Sequence, residues 1–167
     1  MLAALRILEG SVNSEEALNW IIGFLESREI PYLICGGLAA KAYGSQRPLH
    51  DIDLYVADRN YEAVAEFGHK YITYGPERLT DHNWNVEYVQ FKYKGQKIEV
   101  GSSKDIQIFD AIKHEWHQEE LDFEKYTEID ILGKSVRVME KQTLIDYKRK
   151  LNREVDIADI EQIEDAQ

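Results

Sequence analysis

A single cysteine, Cys35, stands in the 167 residues, so the chain has no second thiol for an internal disulfide and none for a CxxC zinc cluster. Three prolines and ten glycines are too few for a linker-built, collagenous or low-complexity chain, and no internal repeat is found at any period. Basic residues are the scarcer sign: 20 Lys and Arg face 31 Asp and Glu, a formal charge of −11. That field repels duplex DNA, long RNA and anionic lipid surfaces, so any anionic substrate has to be handled locally. No apolar run approaches the length needed to cross a bilayer, and the start MLAALRILEGSVNSEE lacks the apolar core and cleavage site of a signal peptide. A cytoplasmic protein without membrane contact is the expectation.

What the sequence does hold is ordinary globular composition, 44% hydrophobic and 11% aromatic, enough to fill one core. The length fits one domain spanning residues 1–167, with 140–167 as a helical tail. Apolar spacing predicts a helix over Ser14–Ser27 with Ser14 as N-cap, then a buried strand at Tyr32–Cys35 broken by Gly36-Gly37. A short helix follows from Leu38. His50–Val56 alternates strictly, with Ile52, Leu54 and Val56 on one face and Asp51, Asp53 and Tyr55 on the other. Arg59–Lys70 reads as helix, and Trp84–Tyr93 and Lys97–Val100 as an antiparallel hairpin through Lys94-Gly95. The pattern predicts helix again from Lys104 to about Glu120, a second hairpin over Tyr126–Met139 turning at Gly133, and two short helices over Lys141–Glu164. The fold expected is α/β of the α+β kind: a mixed, largely antiparallel sheet with acids on one face and helices packed on the other.

The chemistry concentrates between Cys35 and Val56. Asp51 and Asp53 share a strand face about 7 Å apart. Like charges on one face repel, and a hard divalent ion with oxygen ligands is the usual remedy. Upstream, a buried strand ending in Gly36-Gly37 runs straight into a helix, an arrangement whose free amides attract phosphate. Arg47, in the following loop, either adds a mobile cation to that pocket or is a surface residue. Glu99, alone between Ile98 and Val100, is the best third acid, and Glu87 the second choice. Lys148, in YKRKLNR, reads as a solvated basic helix face or as a nucleotide contact. Asp156 reads as a helix N-cap, His50 points away from Asp51 on alternation, and His114 and His117 fit a helix surface.

Gly36-Gly37, thirteen residues and then Asp51-Ile52-Asp53-Leu54, with a later acid on a strand, resembles the signature of the DNA polymerase beta-like nucleotidyltransferase superfamily. The segment GGLAAKAYGSQRPLHDIDL is most similar to the small bacterial lincosamide and aminoglycoside nucleotidyltransferases and the toxin–antitoxin nucleotidyltransferases. The resemblance covers about Pro31 to Val100, with a weaker echo in TLIDYKRKLNREVDIADIEQI, where Lys148 matches a lysine facing the nucleotide. It implies a nucleotidyltransferase fold and two Mg2+ ions on Asp51 and Asp53, with Glu99 holding the catalytic ion and helping to deprotonate the acceptor. Gly36, Gly37, Arg47 and Lys148 would bind the nucleoside triphosphate, ATP or another. The reaction implied moves a nucleoside monophosphate to a hydroxyl of a small molecule or protein and releases pyrophosphate. Two departures stand out: many members carry Ser at the position of Gly37, and Asp is usual where Glu99 stands. The alternatives are a regulatory partner of a toxin–antitoxin pair, which would bring a toxin partner, and a nucleotide-binding module without turnover; in the enzyme reading so short a chain takes a small acceptor or completes its site across a homodimer.

Overall fold

In the computed structural model, the backbone is described for residues 2–166 and side chains for residues 13–166. The elements in chain order are α1 Leu2–Ser27, β1 Tyr32–Cys35, α2 Gly36–Ala42, β2 Asp51–Val56, α3 Asp58–Phe67, β3 Ile72–Thr80, β4 Trp84–Tyr93, β5 Gln96–Ser102, β6 Ile106–Asp110, β7 Glu115–Glu119, β8 Tyr126–Ile131, β9 Lys134–Met139, α4 Lys141–Leu151 and α5 Glu154–Asp165. A single 3-10 turn, His69–Tyr71, follows α3. Nine strands form one mixed sheet in the order β7-β6-β4-β5-β2-β1-β9-β8, with β3 paired to β4. The β1·β9 and β2·β5 pairs are parallel, and the remaining pairs are antiparallel.

The alternation in β2 explains the layering. Ile52, Leu54 and Val56 are buried, and Ile98 and Val100, the β5 partners of Ile52 and Leu54, with Phe91 and Val89, their own partners on β4, are fully buried on the same side. α1 and α3 close over that side. Trp20 of α1 stacks on Tyr93 at 4.6 Å and meets Phe91 edge-on at 5.7 Å, while Gly68 lies so close to the Phe91 ring that a Cβ there would overlap it. Each large apolar side chain buried here contributes about 1.5–3 kcal/mol, which makes this layer the main stabilising core. The opposite face carries Asp51, Asp53 and Tyr55. α4 and α5 reach it from the far end of the chain.

Three expectations are corrected, and one strand is added. Lys104–Glu120 is not a helix but the β6–β7 hairpin, because Ile106, Ile108 and Asp110 alternate into the interior and Asp110 Oδ1 accepts the amides of Ile112 and Lys113 to make the turn. Local helix-forming residues there yield to a buried edge that only the sheet can offer. β3, Ile72–Thr80, lies in a stretch to which the sequence reading assigns no element, and it carries Gly75-Pro76 within it. Ser14 is not an N-cap: α1 continues through it, and its hydroxyl donates to Gln96 Oε1 at 2.6 Å. Asp156 is not the N-cap of α5 but its third residue, accepting the Arg153 amide at 3.1 Å while Arg153 occupies the cap. The break between the last two helices falls at Asn152, which adopts a left-handed backbone with φ 51°.

Candidate active site

The parallel register of β2 on β5 sets Asp53 beside Glu99 and Asp51 beside Lys97, so the two sequence motifs DxD and KxE lie side by side on one face. One carboxylate oxygen from each of Asp51, Asp53 and Glu99 lies within 4.8 Å of the others. Burial, then the charge of Glu99 and a hydrogen bond to it, push the Asp53 carboxyl up to about 8. Glu87 is on the other face of β4, in register with Arg78, and does not line the cavity. Of the two acids considered, Glu99 is therefore the one that joins the pair.

Lys97 was not singled out by sequence, although the Lys97-x-Glu99 spacing repeats the alternation of Asp51-x-Asp53. Its ammonium lies 3.3 Å from Asp51 Oδ2 and 3.1 Å from Glu99 Oε1.

The diglycine bend meets the acids from β1, whose Cys35 is in register with Asp53. Gly36 has φ +61°, and a Cβ there would run into the Asp53 carboxylate, so only glycine lets the bend and the acid approach so closely. No side chain caps the start of α2, which leaves its first amides without an intrahelical partner beside the cavity.

Three cations stand on the far side of the bend. Arg47 lies over Gly37 and is fixed by Asp159, Nε to Oδ1 at 3.0 Å and Nη2 to Oδ2 at 2.7 Å. Lys148, with its side chain 2% exposed, sits 3.0 Å from Asp159 Oδ2 and 3.5 Å from Asp156 Oδ1. Arg153 forks onto Asp156 at 2.7 and 3.0 Å and lies over the Trp84 ring at 4.8 Å. Burial pushes Asp159 up, but hydrogen bonds from Arg47 and Ser45 and the Lys148 charge outweigh it and hold the carboxyl at about 2. The buried position of Lys148 answers the question left open by its basic neighbours: it is an internal ion-pair member at the cavity wall, not a solvated face.

A cavity of about 400 Å³ joins these parts, within the range of small-ligand sites. Gly36, Gly37, Arg47, Asp51, Asp53, Glu99 and Lys148 all line it, so the paired aspartates, the preferred third acid and the four nucleotide-site candidates border one space. His50, the residue before β2, borders it too. His114 and His117 fall on the β6–β7 hairpin, away from it. The remaining wall is aromatic: Tyr55 fills the space over Gly101, Tyr147 hydrogen-bonds Tyr55 and accepts the Trp84 indole N–H at 3.0 Å, and Tyr88 stacks on Tyr74 at 5.2 Å. Asp159, Arg153 and Tyr147 escaped the sequence reading, whereas Tyr74, Trp84 and Tyr88 read there as core or rim aromatics, one of them able to stack on a base or acceptor ring. The only signal for Asp159 was its three-residue spacing from Asp156 on a helix.

The sequence matches no protein-family model and no curated protein. Solved structures do match. A candidate nucleotidyltransferase from Thermotoga maritima aligns over 91% of this chain and 92% of its own at TM-score 0.68 and 16% identity. The lincosamide antibiotic adenylyltransferase LnuA, bound to lincomycin, aligns over 91% and 97% at TM-score 0.59 and 14% identity. ANT(2")-Ia, in complex with adenylyl-2"-tobramycin, aligns over 90% and 87% at TM-score 0.56 and 15% identity. The chain has the nucleotidyltransferase fold.

Proposed function

We propose that the protein is a metal-dependent nucleotidyltransferase that moves a nucleoside monophosphate from a nucleoside triphosphate to a hydroxyl of a small molecule. The observation that carries this reading is the convergence of Asp51, Asp53 and Glu99 with Gly36, Gly37 and Arg47 on one cavity. Fold and acid triad agree with adenylyl transfer in the solved neighbours, two of which hold an antibiotic or its adenylylated product.

The donor set fits a hard divalent ion such as Mg2+. It is all oxygen, it is drawn together on a rigid sheet, and a cation already stands among it in the form of the Lys97 ammonium. Asp51, Asp53 and Glu99 would hold one ion or two, and bound metal supplies Lewis-acid activation of the hydroxyl and neutralisation of phosphate charge. The chain's own groups do the rest. Amides at Gly36 and Gly37 and the Arg47 guanidinium hold the triphosphate, with Lys148 behind them. Glu99 takes the proton of the acceptor hydroxyl. The acceptor oxygen bonds to the α-phosphorus in line as the bond from that phosphorus to the bridging oxygen of the β-phosphate breaks, and pyrophosphate leaves with the electron pair. Leu79, Trp84, Val86 and Tyr88 give the acceptor an aromatic and apolar wall, with Asp81 at its edge.

Incubation with α-labelled nucleoside triphosphates, Mg2+ and a panel of hydroxylated small molecules tests the reading. Label moving to a small molecule supports it, and nucleotide binding with no transfer to any acceptor sinks it in favour of a binding module.

A further inference from the structure

Lys97 sits where the acids need a cation. On β5 it is in register with Asp51, two pairs along from Asp53 and Glu99 and on the same face, and its ammonium reaches both Asp51 and Glu99. On its other side the register partner is Lys92 of β4, a like charge that gives the ammonium no competing acid. A divalent ion bound by the triad draws on two carboxylates that Lys97 already pairs with, and at these separations two cations repel strongly wherever water is partly excluded. The Lys97 side chain is 38% exposed and unbranched, so it can leave toward solvent without opening a hole in the core.

Resting on the nucleotidyltransferase reading above, we propose that Lys97 is the resident cation of the acid triad. In the nucleotide-free protein it holds Asp51 and Glu99 together and opposes entry of a divalent ion. It gives way when the ion arrives with a triphosphate, whose oxygens complete the ion's shell. Metal and nucleotide therefore load together, and the free protein does not carry a firmly bound ion. Lys97 is a positioning residue in this scheme, acting through the acids.

The test is Mn2+ binding, followed by the electron paramagnetic resonance of free Mn2+, at one fixed pH for wild type, K97M and K97R, with and without the α,β-methylene analogue of ATP. Without nucleotide, K97M is expected to bind Mn2+ at least about tenfold tighter than wild type, and K97R to stay within about threefold of wild type, since it keeps the charge. With the analogue, the gap between K97M and wild type closes to about threefold or less. Equal or weaker Mn2+ binding by K97M alone overturns the proposal, because Lys97 would then be shaping the triad and not opposing the ion. A gap that persists with the analogue overturns the joint loading. No Mn2+ binding by any variant, even with the analogue, is a different failure: it removes the metal-dependent reading itself, and the role of Lys97 with it.

Discussion

Asp53 and Glu99 face each other across two parallel strands that are far apart in the chain, and their carboxyls share a hydrogen bond. Burial of Asp53, with the charge of Glu99 and the hydrogen bond to it added, outweighs the nearby Lys97 ammonium and pushes the Asp53 carboxyl up to about 8.

Metal binding should therefore release a proton. A divalent ion requires ionised Asp53, so Mn2+ affinity is expected to rise between pH 6 and pH 8, by about tenfold or more. Titration calorimetry in two buffers of different ionisation enthalpy measures the proton directly. Affinity independent of pH over that range would contradict the shared-proton site.

Replacing both aspartates, Asp51→Asn with Asp53→Asn, should remove metal-dependent triphosphate binding and lower transfer by at least about a thousandfold. The fold should survive, since in the metal-free state Asp53 contributes stability only at low pH. Its folded value lies above the ordinary 3.8, so that contribution is full below about pH 4 and gone once pH rises through about 8. A double variant that binds triphosphate as wild type does would remove the site from consideration.

Gly36→Ala forces a Cβ into the Asp53 carboxylate at a backbone angle that L side chains rarely adopt. A loss of about 1–3 kcal/mol in stability is expected, together with weakened metal binding. Gly95→Ala is the matched control: its φ is also positive, +82°, yet a Cβ there meets nothing within 4 Å. If both variants lower the melting temperature equally and leave metal binding unchanged, the close approach to Asp53 does not matter.

Asp159 gives the acid limit of stability. Its carboxyl is held at about 2, below the ordinary 3.8, so the stability it contributes is present above about pH 4 and is lost as pH falls from there toward 2. Asp159→Asn should flatten that part of the stability–pH curve. At neutral pH it should cost about 3 kcal/mol, because Lys148 then keeps only the longer contact to Asp156 in a buried setting. Denaturant melts of the two proteins from pH 2 to 7 decide the matter.

The parts of the site that sequence reveals are those governed by local geometry. Alternation alone puts Asp51 and Asp53 on one face and Glu99 opposite an apolar pair, and a buried run ending in two glycines marks the bend. What it hides depends on strand pairing. Lys97 becomes part of the site only through the β2·β5 register, and Asp159 only because α5 folds back onto the Arg47 loop. The β6–β7 hairpin shows the same limit. Glu115, Trp116 and His117 carry no strand signal of their own, and it is the alternation of Ile106 and Ile108 against the core that commits the segment to the sheet.

Because β2 and β5 are parallel neighbours, the chain must travel through α3, β3 and β4 before Glu99 can come to rest beside Asp53. A nascent polypeptide that has emerged only as far as Tyr93 already contains both aspartates and the diglycine, yet it lacks Glu99. Such long-range pairing forms late and slowly during folding. The acid triad thus comes together only after synthesis has moved well past the diglycine bend, and a chain cut short at Tyr93 carries two of its three members.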